Sequence, residues 1–356
     1  MDQELNAFRE QIAAASASKT ALRIRGNGTK DWYGQEPQGE LLDTSRYSGI
    51  IAYDPTELVI TARAGTTLRE IGAALSANKQ MLAFEPPRFD GMATLGGIVA
   101  SGLSGPRRQA VGSVRDFVLG TVLMDGKGEV LHFGGQVMKN VAGYDVSRLL
   151  TGSMGSLGLL LEVSIKVLPR PFAQHSLLFS MTQEEALLQL NQWGGQPLPI
   201  SASCWHDGQL AVRLSGAQAA VDAAITRMGG TALPDDSAFW DSVREQDHDF
   251  FADTAQDTKG LWRISVPTVA PALQLAGEQM IEWGGAQRWL KTTADAATIR
   301  EAATALGGHA TLFKGGDKSV GVFHPLAPAV ARIHRNLKNA FDPAGIFNPG
   351  RMYTDF

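Results

Sequence analysis

Apolar positions along this chain change period several times, and each change marks an element. Leu5, Phe8 and Ile12 recur at helical spacing over residues 5–15. Ala21-Leu22-Arg23-Ile24-Arg25 then alternates, which predicts a strand running into Gly26-Asn27-Gly28. Two further strands are expected at Gly49–Tyr53 and Glu57–Ala64, joined by an Asp54-Pro55 turn. Thr67 followed by Glu70 reads as a capping box, opening a helix whose Leu68, Ile71, Ala74 and Leu75 share a face as far as Asn78. Val118–Met124 and Glu129–Phe133 flank Asp125-Gly126-Lys127-Gly128 as a hairpin, and Leu159–Leu168 is a strand closed by Pro169 and Pro171. Beyond Phe172 the character shifts: strands such as Leu210–Leu214 mix with amphipathic helices such as Ala217–Met228, and tryptophans concentrate between Trp193 and Trp289. Val330, Ile333, Leu337 and Phe341 predict one amphipathic helix over 328–341, read as core packing and ended by Asp342-Pro343. The pattern is that of an α+β protein with a domain break near Phe172.

Composition narrows the class. With 44% hydrophobic and 19% charged residues the 356-residue chain is long enough for two packed domains. A net charge of −4 gives no electrostatic reason to expect nucleic acid. The single cysteine, Cys204, rules out an internal disulfide and leaves no thiolate set for an iron–sulfur cluster or a metal site. No apolar run approaches the ~18 residues of a membrane span, and the acidic start Met1-Asp2-Gln3-Glu4-Leu5 lacks signal-peptide character, so a cytoplasmic protein is expected.

Glycine is the informative residue. Of 39 glycines, 15 fall between Gly91 and Gly158, about twice an even share, and they sit in ordered motifs rather than low-complexity sequence. Glycine admits positive φ and lets a ligand reach main-chain amides, which in successive turns hold anionic oxygens. Gly26-Asn27-Gly28 is not a dinucleotide fingerprint, because the third glycine is replaced by Asp31 and no helix opens there. P-loop, zinc-protease and nucleophile-elbow patterns are absent. The order of elements is more specific than any one motif. A strand-linked Gly26-Asn27-Gly28-Thr29 is followed by Ala64-Gly65-Thr66-Thr67, Pro86-Pro87, Thr94-Leu95-Gly96-Gly97 and Gly152-Ser153-Met154-Gly155-Ser156-Leu157-Gly158.

That succession resembles the FAD-binding domain of the vanillyl-alcohol-oxidase (PCMH-type) flavoproteins, and more closely the FAD-binding E subunits of glycolate oxidases. The likeness is detailed at 23–30, 61–68, 85–108, 138–171 and 340–351, and covers essentially the whole chain. It implies a two-lobed PCMH-type domain over 1–171 with the lobes meeting near 80–90, a second α+β domain over 172–311, and a segment 312–356 packing back on the first. It also implies FAD between the lobes. Arg25, Gly26, Asn27, Gly28, Thr29 and Lys30 match the first pyrophosphate loop. Pro86, Pro87, Thr94, Leu95, Gly96, Gly97, Ala100, Ser101 and Gly105 match the second loop beside the flavin, and Gly155, Leu157, Gly158 and Ile165 the segment at the adenine and flavin edge. Some relatives bond flavin through histidine or cysteine in these loops. Here neither type occurs before His132, so the FAD is expected to be non-covalent.

The implied activity is oxidation of glycolate, a small 2-hydroxy acid, to glyoxylate. Partners follow from what is missing: an iron–sulfur subunit to take electrons and a second flavin subunit, which would hold the chain at the inner face of the membrane without a span of its own. Relatives that oxidise 2-hydroxy acids carry a histidine-rich motif in the second domain. The seven histidines here form no such pair, and His309 is the nearest candidate base, although a loop histidine with no chemical role is the commoner case. A self-sufficient flavin oxidoreductase and a non-catalytic flavin-domain scaffold remain the alternatives. Arg107-Arg108 reads equally as an anion site or as solvated surface, Tyr144 as a flavin neighbour or as packing, and 314–318 as a surface loop.

Overall fold

The computed structural model describes residues 2–135, 145–252 and 259–356. Helix Asp2–Ser18 lays Phe8, Ile12 and Ala15 against Leu22, Leu42 and Phe347. Leu22–Arg25 pairs in parallel with Glu40–Asp43, and Phe347 bridges to Leu22 on its other side. Five antiparallel strands follow in the order Ile50–Asp54, Val59–Arg63, Leu159–Lys166, Val118–Met124, Val130–Gly134. Helices Leu68–Ala77 and Leu95–Ser101 bury Ile71, Leu75, Leu95 and Ile98 in the core built on this sheet. Thr67 caps the first helix by accepting from Glu70 N. In the hairpin loop, Asp125 Oδ1 accepts from Lys127 N and Glu129 N.

The sheet joins what the sequence pattern divides into two lobes near 80–90. Val59, Ile60, Thr61 and Ala62 are buried in succession, so this strand needs cover on both faces and a neighbour on each edge. Ile50–Asp54 supplies one edge and Leu159–Lys166, a hundred residues later, the other.

At Phe172, which is 98% exposed, the chain crosses into an eight-stranded antiparallel sheet. Its order is Thr231–Ala232, Ala173–Ser180, Gln209–Gly216, Ile200–His206, Glu278–Glu282, Gln287–Thr292, Gly260–Ser265, His309–Lys314. The sheet thus runs on to Lys314, past the 311 expected for this unit. Helices Gln183–Gly194 and Gln218–Met228 cover one half of the sheet, and Ala296–Ala305 the other. Tyr33, Leu103 and Met154 of the first part pack with Trp240, Trp289 and Phe313 of the second, making the joint between them apolar.

Helix Pro328–Phe341 forms as its spacing predicts, but only its last turns pack. Leu337 and Phe341 lie against the five-stranded-sheet core, whereas Val330 and Ile333 are 41% and 56% exposed. Core packing therefore accounts for half of the apolar stripe. The chain then turns back, burying Ile346 and Phe347 beside Leu22.

Candidate functional site

Strand Leu22–Arg25 delivers the chain to a loop in which Gly28 adopts φ +71°. A Cβ at Gly28 would overlap the Arg25 guanidinium, whose Nε is held by Asp31 Oδ2 at 2.7 Å. Among the described residues, the amides of Gly26, Asn27, Gly28, Thr29 and Lys30 have no protein acceptor, and all five residues are only half-buried. Five consecutive free donors around a left-handed glycine make a receptor for an anionic group. Their positions are fixed from behind. Asn348 Oδ1 accepts from Ile24 N at 2.8 Å, Arg351 Nη2 donates to Asp31 O at 2.9 Å, and Asn27 Nδ2 donates to Met92 O at 2.8 Å.

The second loop differs in kind. Thr94 caps helix Leu95–Ser101 by accepting from Gly97 N, while Leu95 N and Gly96 N donate to Thr66 O and Ala64 O. Its amides are spent on protein, so what this loop offers a ligand is space. A Cβ would stand 2.6 Å from Thr94 Oγ1 at Gly26, and 3.1 Å from Thr94 Oγ1 and 3.5 Å from Lys30 Nζ at Gly97. The two loops therefore touch, and a side chain on either glycine would part them. Burial pushes Lys30 down to about 8, with Asp31 acting the other way, and its ammonium lies 5.4 Å from the Phe89 ring centre. Gly97 and Ala100 keep accessible surface, whereas Pro86, Pro87, Thr94, Leu95, Gly96 and Gly105 are buried. Gly105 is required by close packing, since its Cβ would collide with Glu85 O.

The third segment serves packing more than it faces a ligand. Gly155 (φ +72°) lies against Asn348 Nδ2, and a Cβ on Gly158 would meet Met124 O at 2.9 Å. Leu157 is in the core, and Ile165 is wholly buried, paired with Ile60 on one side and Val118 on the other. The alternation of its strand points the Ile165 side chain inward. Lys139, Asn140 and Tyr144 lie outside the described residues.

Where the end of helix Leu95–Ser101 meets the eight-stranded sheet, a cavity of about 550 Å³ opens. Ser101 and Gly102 line it from one side, and Arg263, Ser265, His309 and Thr311 from the other. Burial depresses the pKa of His309, and the neighbouring Arg263 and His324 lower it further, so its imidazole is held neutral. Arg107 and Arg108 part company. Arg107 is buried and bonds Glu85 (Nε to Oε1, 3.2 Å), to which Arg213 also bonds (Nη2 to Oε2, 2.8 Å). Arg108 instead lines the cavity, its guanidinium 4.2 Å from the Trp283 ring centre. Neither is solvated surface. The 314–318 loop is also engaged, as Lys318 Nζ bonds Trp32 O and Glu36 Oε1. Sequence reasoning passed over Arg263, Tyr33 and His324. The one available signal was a cation within the otherwise apolar run Leu261-Trp262-Arg263-Ile264.

Residues 4–134 match the family described as FAD binding domain. Over 349 residues the chain is 50% identical to glycolate oxidase subunit GlcE of Escherichia coli (strain K12), covering 98% of this chain and 97% of that protein. The chain belongs to this family of FAD-binding glycolate oxidase subunits. A more distant relative, glycolate oxidase subunit GlcD of Bacillus subtilis (strain 168), is 32% identical over 171 residues, 47% of this chain and 36% of its own length. The solved structure of an alkyldihydroxyacetonephosphate synthase superposes with a TM-score of 0.65 at 16% identity, over 96% of this chain and 74% of that one, a likeness of fold. The cofactor of the subunit is FAD, and the residues present fit it: unpartnered amides and a lysine for the pyrophosphate, and glycines whose Cβ would fill the space. The subunit is a PCMH-type oxidoreductase component. Among the described residues no helix is long and apolar enough to cross a membrane.

Proposed function

We propose that this chain is the FAD-binding subunit of a glycolate dehydrogenase complex that oxidises glycolate to glyoxylate and passes the electrons to an iron–sulfur subunit, beside a second flavin subunit. The observation that carries the reading is that the free amides at Gly26–Lys30 meet the start of helix Leu95–Ser101, whose far end, Ser101, lines a cavity bearing arginines and neutral histidines. FAD, held without a covalent bond, supplies the two-electron acceptor. The amides of Gly26–Lys30 and the Lys30 ammonium hold its pyrophosphate, and Gly97 and Ala100 leave it room. Removal of the substrate hydroxyl proton, help of the kind worth ~10²–10⁴ in rate, is assigned to the second flavin subunit, and His309 is this chain's own candidate for it. We assign residues 1–171 with the returning tail to cofactor binding and the eight-stranded unit to closing the site. The lone cysteine, Cys204, is buried, so electrons leave through a partner.

The test is glycolate-dependent reduction of an artificial dye. The chain assembled with its flavin and iron–sulfur partners should turn over, and the chain alone should do so slowly. A complex that ignores glycolate overturns the reading. A second reading, a self-sufficient oxidoreductase, is favoured by the position of His309 in the cavity. Rapid turnover by the isolated chain, lost in His309→Ala, would establish it.

A further inference from the structure

Two large recesses among the described residues lie between the halves of the molecule, and their charge differs. In the cleft of about 670 Å³ beside helix Leu68–Ala77, carboxylates share the lining with the arginines and pair with three of the five: Arg213 with Glu85, Arg88 with Glu245, Arg244 with Asp241 and Glu245. The cavity of about 550 Å³ has no such compensation. Among the described residues no Asp or Glu lines it: the carboxylates that act on its arginines, Asp116 on Arg108 and Glu282 on Arg263, lie behind the wall and make no salt bridge with them. Both guanidiniums are half-buried.

Half-burying two guanidiniums on a wall that carries no carboxylate is unfavourable, so two such groups in one cavity need a reason. Each is also held in place. Arg108 lies over the Trp283 ring. Arg263 lies 5.3 Å from the Phe313 ring centre, and its Nη2 donates to Tyr33 Oη at 2.9 Å. Aromatic faces hold a guanidinium in place and leave its in-plane N–H groups free for a planar oxyanion.

The strands supply the remaining groups in register. Arg263 and Ser265 are two apart on Gly260–Ser265, and their cross-strand partners on His309–Lys314 are Thr311 and His309. Residues two apart, and those directly opposite, share a face. A cation, two hydroxyls and a neutral imidazole are therefore presented together at one sheet edge.

We propose that this chain itself binds the carboxylate of a small 2-hydroxy acid in this cavity, on the paired guanidiniums of Arg263 and Arg108. The proposal deepens the glycolate-oxidising reading and rests on it, since it places the acid on this subunit rather than only on a partner. Tyr33 is a positioning residue: it follows the cofactor loop through the turn bond Tyr33 N to Lys30 O and fixes Arg263 in turn. The anion site is thereby tied to the loop that holds the pyrophosphate.

The experiment uses the FAD-loaded chain without partners, titrated with oxalate, a planar carboxylate with no C–H bond to oxidise. Binding is followed by the perturbation of flavin absorbance, with uncharged glycolamide as the control. A saturable shift is expected with oxalate and none with glycolamide. Arg263→Gln and Arg108→Gln should each weaken oxalate about tenfold or more, with FAD content unchanged. Arg263→Lys, which keeps the charge and loses the fork, should recover part of the loss. Arg170→Gln, in the other cleft, should bind as the parent does. Absence of an oxalate shift, or an affinity as tight as the parent's in both glutamine variants, overturns the proposal. If the assembled complex oxidises glycolate while the isolated chain ignores oxalate, the site assignment falls and the subunit reading stands.

Discussion

Lys30 sits where burial and cofactor charge pull against each other. Burial brings it down to about 8 although Asp31 favours its charged form. A pyrophosphate alongside would favour the ammonium and raise that value, so FAD binding takes up a proton wherever the free chain has lost one. Affinity should be flat below about pH 8 and fall about tenfold per pH unit above it, and Lys30→Met should flatten the profile. Quenching of FAD fluorescence on titration into the apo chain reads this directly. Gly97→Leu should abolish FAD retention on gel filtration while leaving circular dichroism unchanged, because the side chain would grow into Thr94 and the Lys30 ammonium. A Gly97→Leu chain that stays yellow would mean the cofactor runs elsewhere. His309 makes a third case. Turnover that needs its neutral form should fail on the acid side, at a pH below the ordinary histidine value, since burial, Arg263 and His324 all lower its pKa. In Arg263→Gln one of those cations is gone, so the acid limb of the kcat profile should move to higher pH. Single residues were the least legible part of the sequence. Arg107 and Arg108 are neighbours with unrelated fates, one in a buried ion cluster and one over a tryptophan. Only tertiary partners decide that.

Elements were far more legible, because period survives without tertiary information. The strand at Val118–Met124, the capped helix Leu68–Ala77 and the helix Pro328–Phe341 lie where apolar spacing and turn residues put them. Where the pattern misled, the cause is contact. Val330 and Ile333 continue an apolar stripe past the point where the helix leaves the sheet. The returning tail is the element whose role the sequence concealed. Asn348 is buried and spans two glycine segments, accepting from Ile24 N and donating to Met154 O at 2.6 Å. Asn348→Ala leaves both main-chain groups unpaired and should cost about 1–3 kcal/mol in urea unfolding. The same variant should also weaken FAD, because the strand that leads into the free amides loses its brace. Lost stability with unchanged FAD affinity would confine the tail to packing.

At the scale of the whole molecule, the two halves are joined by an apolar seam and one buried ion cluster. Burial would raise the pKa of Glu85, but Arg213 and Arg107 outweigh it and hold the carboxyl below its usual value. A depressed folded-state pKa means that the cluster stabilises fully above the unfolded-state carboxyl value and loses that contribution as pH falls through the folded one. Glu85→Gln strands two buried guanidiniums and should cost about 3–5 kcal/mol, with the thermal transition splitting as the halves uncouple. A small shift in a single transition would show that the seam alone holds them. The tail has a further consequence, for synthesis. Arg351 reaches Asp31 across 320 positions of sequence, and Asn348 reaches Ile24 across 324. A nascent chain that has emerged only through Phe341 already holds every amide of the pyrophosphate loop and its Met92 brace, but lacks Asn348 and Arg351. Flavin loading therefore waits on a segment made more than 300 residues after the loop that receives it.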